Sequence, residues 1–91
     1  MLREIAALFL DEYPRELEAM HQALASGDSK LLEHTAHGLK GSVANFYARA
    51  AVEAAFQLEQ LGRAEKLDQA APALAVLERT LETLHAELVA L

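Results

Sequence analysis

The sequence predicts an all-α domain, an up-down-up-down antiparallel four-helix bundle with a short extra N-terminal helix. Three observations lead there. The chain is rich in Ala, Leu and Glu and holds only two Pro and four Gly in 91 residues, the usage of a helical chain. Apolar residues recur at helical spacing in successive segments. The breaks between segments are short, which makes consecutive amphipathic helices antiparallel neighbours. With no linker and no internal repeat, residues 1–91 read as one small domain.

Residues 2–11 (LREIAALFLD) form the short first helix, with Leu2, Ile5, Leu8 and Phe9 on one face. Pro14 suits the first turn of a second helix, where its missing N–H costs nothing. That helix carries Leu17, Met20 and Leu24 and stops at Ser26-Gly27, Gly being suited to the position after a helix end. Asp28 then caps a third helix bearing Leu31, Leu32, Thr35, Leu39, Val43 and Phe46. A fourth runs from about Ala48 to Leu61, with Val52, Ala55 and Phe56 inward and Gly62 as its stop. The last repeats apolar residues at Leu67, Leu74, Leu77, Leu81, Leu84, Leu88 and Leu91, and Pro72 near its start makes residues 66–70 either a separate turn or a bent first turn.

Composition narrows the function. Net charge is −6, and the eight Lys and Arg residues are scattered, a poor surface for nucleic acid. No apolar run approaches the ~18 residues of a membrane span, so no membrane insertion of this segment is expected. Without Cys there are no disulfides or thiolate metal sites, and a reducing, cytoplasmic location is expected.

The stretch HTAHGLKGSVANF, residues 34–46, departs from this plainness. It puts two histidines, a lysine and two glycines inside a helix, although each Gly costs roughly 1 kcal/mol relative to Ala there. At about 100° per residue, the apolar stripe is centred between Thr35 and Leu39, and His37 falls on the solvent side. Lys40 and Gly41 flank it one turn further on. A bare Gly beside an exposed imidazole clears a path for a bulky partner. A Lys at i+3 places a cation where an anion on the ring would sit. Imidazole is a good nucleophile near neutrality, so the three residues suit a phosphoryl group carried on histidine. His34 has Gly38 at i+4, but His37 rather than Lys at i+3.

The string AHGLKGSVANF resembles the signature of histidine-containing phosphotransfer (HPt) domains, A-H-x-L-K-G-[SA]-x-x-N-[FL]. The resemblance covers nearly the whole chain, through the LFLDEYP lead and the LE..G ending of Leu58, Glu59 and Gly62. It implies that His37 is the phosphoacceptor, Lys40 the phosphate-facing cation and Gly41 the access glycine. It also implies that the chain takes a phosphoryl group from a receiver-domain aspartate and passes it to another receiver. Response-regulator receiver domains are then the expected partners, with a hybrid sensor histidine kinase as a further candidate. No cofactor is expected in this chain, and Mg²⁺ belongs to the partner receiver. With no Gly-rich phosphate loop, self-phosphorylation from ATP is not expected. Tyr47 departs from the family, which commonly has Gly there, and should alter the turn into the next helix.

Glu59 lies within the apolar stripe of its helix with Val52, Ala55 and Phe56. A carboxylate there must find a partner or have its pKa raised. Two arrangements are open. Glu59 either accepts a hydrogen bond from Nδ1–H of His37, turning Nε2 outward, or forms a rim salt bridge or a bond to another helix. Arg49 and Arg63 could add positive charge, but no spacing fixes them at the site, and Ser42 suits a bond back to a carbonyl.

Two rival readings remain. One is the phosphoacceptor domain of a chemotaxis-type histidine kinase, served by an ATP-binding domain. The other is a metal-binding bundle, because Glu18-x-x-His21 and Glu82-x-x-His85 match the Glu-x-x-His element of di-iron bundles. Both pairs sit at the edge of their apolar stripes, whereas such ligands must point inward.

Overall fold

A computed structural model describes residues 2–91. Among the described residues there is no strand, and four α-helices are present: α1 (Leu2–Ser26), α2 (Ser29–Ala44), α3 (Arg49–Arg63) and α4 (Ala70–Val89), with a 3-10 turn at Leu67–Gln69 before α4. They form an elongated bundle of 37 × 19 × 17 Å. α2 packs most extensively on α3, then on α1, and α4 closes the bundle against α3 and α1.

The separate N-terminal helix does not form, because α1 runs unbroken through Pro14. Its buried stripe of Ala6, Phe9, Tyr13, Met20 and Ala23, joined by half-buried Leu10, Leu17 and Leu24, keeps helical phase across the proline. Packing along that stripe outweighs the one backbone hydrogen bond Pro14 removes. Pro14 itself is exposed, so the Leu10 carbonyl left without a donor lies on the side open to water. The buried face also differs from the expected one: Leu2, Ile5 and Leu8 are exposed while Ala6, Phe9 and Tyr13 are covered.

The Gly27 turn is as expected. Gly27 has φ 72°, and Asp28 N–H reaches back to Ala23 C=O at 2.8 Å, a closure that needs a left-handed residue. Asp28 then caps α2, its Oδ1 accepting from Leu31 N–H at 3.0 Å. The core face of α2 is Leu32, Ala36, Leu39 and Val43, with Leu31 and Thr35 at its edge. Phe46 lies beyond the helix and packs on Phe9, ring centroids 5.3 Å apart.

Three expectations about α3 and α4 need correction. Phe56 is not inward but 48% exposed, and the core face of α3 is Ala51, Ala54, Ala55 and Leu58. Gly62 does not stop the helix. It is buried inside α3, and a Cβ on it would stand 2.7 Å from the backbone nitrogen of Glu33 and 2.9 Å from the Ser29 carbonyl oxygen. The stop comes at Glu65, φ 57°, where Lys66 N–H closes on Leu61 C=O at 2.9 Å. Finally, α4 buries Leu74, Leu77, Leu81, Leu84 and Leu88, but Leu91 lies past its end and is 47% exposed. Pro72 sits in the first turn of α4, after the 3-10 turn.

Candidate functional site

The close contact at Gly62 brings the α2–α3 pair together where the singled-out residues lie. One turn back along α3, Glu59 is 3% exposed, the only buried charged residue among those described. Its carboxylate meets α2. Nδ1 of His37 lies 2.9 Å from Glu59 Oε2, and Lys40 Nζ donates to Oε1 at 2.6 Å. Arg63, one turn along α3, donates from Nη2 to Oε2 at 3.4 Å and from Nε to Glu33 Oε2 at 2.9 Å.

Both arrangements open for Glu59 are present at once: Oε2 meets Nδ1 of His37, and Oε1 takes a salt bridge from Lys40 of α2. The hydrogen bond from Lys40 holds the Glu59 carboxyl below its usual range, helped by the bond from His37 and opposed by burial. An ionised carboxylate can only accept, so Nδ1 of His37 carries the proton. In the neutral ring the lone pair is then on Nε2. The His37 side chain is 67% exposed, and Nε2 is the ring nitrogen that Glu59 does not engage.

Gly41 has open space where a Cβ would be, with no atom within 4 Å. Gly38 faces only Glu16 Oε2, at 3.9 Å. Lys40 spans the gap between α2 and α3, its ammonium 5.1 Å from the centre of the Phe56 ring, and Phe56 forms an apolar shoulder beside the site. Ser42 Oγ donates to the Gly38 carbonyl at 3.2 Å, as anticipated. A shallow groove beside His37 is lined by Lys30, Glu33, His34, Glu59 and Arg63.

Arg63 and its partner Glu33 were not placed at the site from sequence, although the i,i+4 spacing of Glu59 and Arg63 is the signal that could have done so. Arg49 is not there; it lines a surface groove with Thr80, Thr83 and Glu87. The Glu-x-x-His pairs turn to other work. His21 Nε2 lies 3.3 Å from Glu78 Oε2, His85 Nδ1 lies 2.6 Å from the Tyr13 hydroxyl, and no three acidic or histidine side chains converge to hold an ion among the described residues. Of the four histidines, His37 alone meets a buried carboxylate.

Comparison with known proteins adds an independent line. The family model described as "Hpt domain" matches residues 4–87. The crystal structure of histidine-containing phosphotransfer protein B (HptB) from Pseudomonas aeruginosa PAO1 superposes with a TM-score of 0.90 at 27% sequence identity, over 94% of this chain and 75% of that one. No curated protein sequence gives a match.

Proposed function

The chain belongs to the Hpt domain family and is a histidine phosphotransfer module of a phosphorelay; we propose that His37 is its phosphoacceptor and that Nε2 is the attacking atom. The observation that carries this is the division of labour on one ring. Nδ1 is fixed by buried Glu59 at 2.9 Å, while the side chain as a whole is 67% exposed and Gly41, one turn along α2, leaves open space where a Cβ would stand.

The module is a phosphotransfer intermediate rather than an enzyme in the usual sense, and members of its family work with receiver domains and kinases. The finer assignment is ours. A receiver aspartyl phosphate approaches over Gly41, and the Nε2 lone pair attacks phosphorus in line with the leaving carboxylate oxygen. The group is later handed to the aspartate of another receiver. Such transfers depend on positioning and charge more than on side-chain chemistry. Lys40 and Arg63 supply the positive charge, and the divalent ion expected in the partner receiver would shield the phosphoryl oxygens. No helix among the described residues is long and apolar enough to cross a membrane.

The test is incubation with phosphorylated receiver domains, read by intact mass and acid lability for wild type and His37→Gln. An acid-labile phosphoryl gain confined to wild type is the expected result. Gain only from a kinase ATP-binding domain with ATP would move the chain to the chemotaxis-kinase reading. Gain that survives His37→Gln would overturn the residue assignment.

A further inference from the structure

Two cations stand at the site, and each is matched by a carboxylate. Lys40 Nζ lies 2.6 Å from Glu59, and Arg63 Nε lies 2.9 Å from Glu33, so this set of four carries no net charge. A phosphoryl group on His37 brings close to two negative charges near neutrality. The groove beside His37 holds two further basic side chains, Lys30 and His34. Both are exposed, and among the described residues neither is within salt-bridge distance of a carboxylate. His34 stands one turn before His37, a spacing that brings Cβ atoms to about 5–6 Å, whereas Lys30 is about 10 Å back along the axis. We propose that His34 is the counter-ion of the phosphoryl group: it takes up a proton when His37 is phosphorylated and pairs with the phosphoryl oxygens. The proposal rests on the phosphoacceptor reading above and adds a second histidine to it.

On acceptance, the Nε2 lone pair of His37 forms the N–P bond, and the donor's P–O bond breaks with its electron pair leaving on the carboxylate. His34 separately binds a proton from solvent. On release, the P–N bond breaks and its pair returns to Nε2. The receiver carboxylate takes the phosphoryl group, and His34 gives its proton back to solvent. Proton uptake and phosphoryl uptake are thereby linked, and each favours the other to the same degree. A fall in pH through the imidazole range holds the group on this chain, and a rise passes it to the receiver.

Other charges bear on His34 from each neighbouring helix. On α2, Lys30 opposes its protonation, and Glu33, already paired with Arg63, favours it. From α3, Glu59 and Arg63 line the same groove. From α1, Arg15 and Glu16 line a second groove that His34 also borders. All of these are present whether or not His37 is phosphorylated. A change in proton binding between the two states therefore reports the phosphoryl group.

The phosphorylated His37 ring keeps its Nδ1 proton and so gains one positive charge, which leaves a single net negative charge. Acting about 6 Å away through water, that charge alone tightens proton binding at His34 by about threefold. Direct pairing with a phosphoryl oxygen tightens it by about tenfold or more. The test loads the whole chain, ¹³C-labelled at histidine Cε1, with phosphoramidate, a small donor that needs no docking. Each ring is followed by NMR against pH, with and without the phosphoryl group. The His34 midpoint should move to higher pH by the equivalent of about tenfold tighter proton binding, against steady values for His21 and His85, which meet Glu78 and Tyr13 instead. A displacement of about threefold or less would overturn the proposal and leave the phosphoacceptor reading intact. Phosphoryl exchange with one receiver gives a second readout. As pH rises across the imidazole range, wild type should lose the group relative to His34→Lys, whose cation does not titrate there. A constant ratio between the two chains would overturn the proposal. Label on His37→Gln would defeat the phosphoacceptor reading and the proposal together.

Discussion

Gly62 and Glu33 meet backbone to backbone: a Cβ on the glycine would stand 2.7 Å from the Glu33 nitrogen. This contact governs the separation of α2 and α3, and with it the reach of Glu59 to His37 and Lys40. Gly62→Ala should destabilise the fold by about 1–3 kcal/mol despite the roughly 1 kcal/mol that Ala gains in a helix, because the colliding atoms are main chain and cannot rotate away. Chemical denaturation checks the sign, and a variant at least as stable as wild type would show that the helices can separate freely.

Gly41 presents the opposite case. Its missing Cβ faces open space, so Gly41→Ala should stabilise α2 by up to about 1 kcal/mol while slowing phosphoryl transfer from a receiver. Stability and transfer rate, measured on the same preparation, should move in opposite directions. An unchanged rate would remove the access role from this glycine.

Tyr47 has φ 55° and is 95% exposed, so it holds a left-handed backbone with little side-chain packing in return. Left-handed geometry costs roughly 1–2 kcal/mol for an L residue, a strain that a Gly at this position would avoid. Tyr47→Gly should raise stability by about 1 kcal/mol, less whatever backbone entropy the glycine adds. A thermal melt decides it.

These three positions show what was legible in the sequence. Helical periodicity located α2, α4 and the Gly27–Asp28 turn, and the H-x-x-K-G string located the site. Periodicity alone did not tell a glycine that ends a helix from one that admits a neighbour, because Gly62 owes its role to residues about 30 positions away. The same blindness to tertiary packing cut α1 at Pro14, although the stripe from Ala6 to Met20 stays in phase across it. Hydrophobicity alone points Phe56 inward, whereas the structure buries the alanines beside it and leaves Phe56 half exposed. The carboxylate among apolar residues did stand out at Glu59. The structure supplied its full set of partners, with Arg63 and Glu33 added.

Acid should act on the fold through Glu59. Its carboxyl titrates below the ordinary value of 4.5 because Lys40 and His37 favour the charged form, so between the two values the unfolded chain binds more protons. Its contribution is therefore complete above about pH 4.5 and is lost as pH falls through the folded value. Glu59→Gln should lower stability at neutral pH by about 1–3 kcal/mol and flatten the acid limb of the stability curve.

Glu16 carries the opposite sign. Burial, and then Glu12, raise its pKa, so its contribution is complete below the unfolded value and lost as pH rises through the folded one. Glu16→Gln should gain stability at neutral pH and little in acid. Denaturation midpoints across pH for both variants test the pair of signs.

The central claim is that the phosphoryl group sits on Nε2 of His37 while Nδ1 stays with Glu59. Heteronuclear nitrogen–phosphorus NMR of the phosphorylated, ¹⁵N-histidine-labelled protein reads this directly. The account predicts one phosphorus-coupled ring, that of His37, with the coupling at Nε2 and a proton retained on Nδ1. Coupling at Nδ1 of His37, or on the ring of His34, would contradict it.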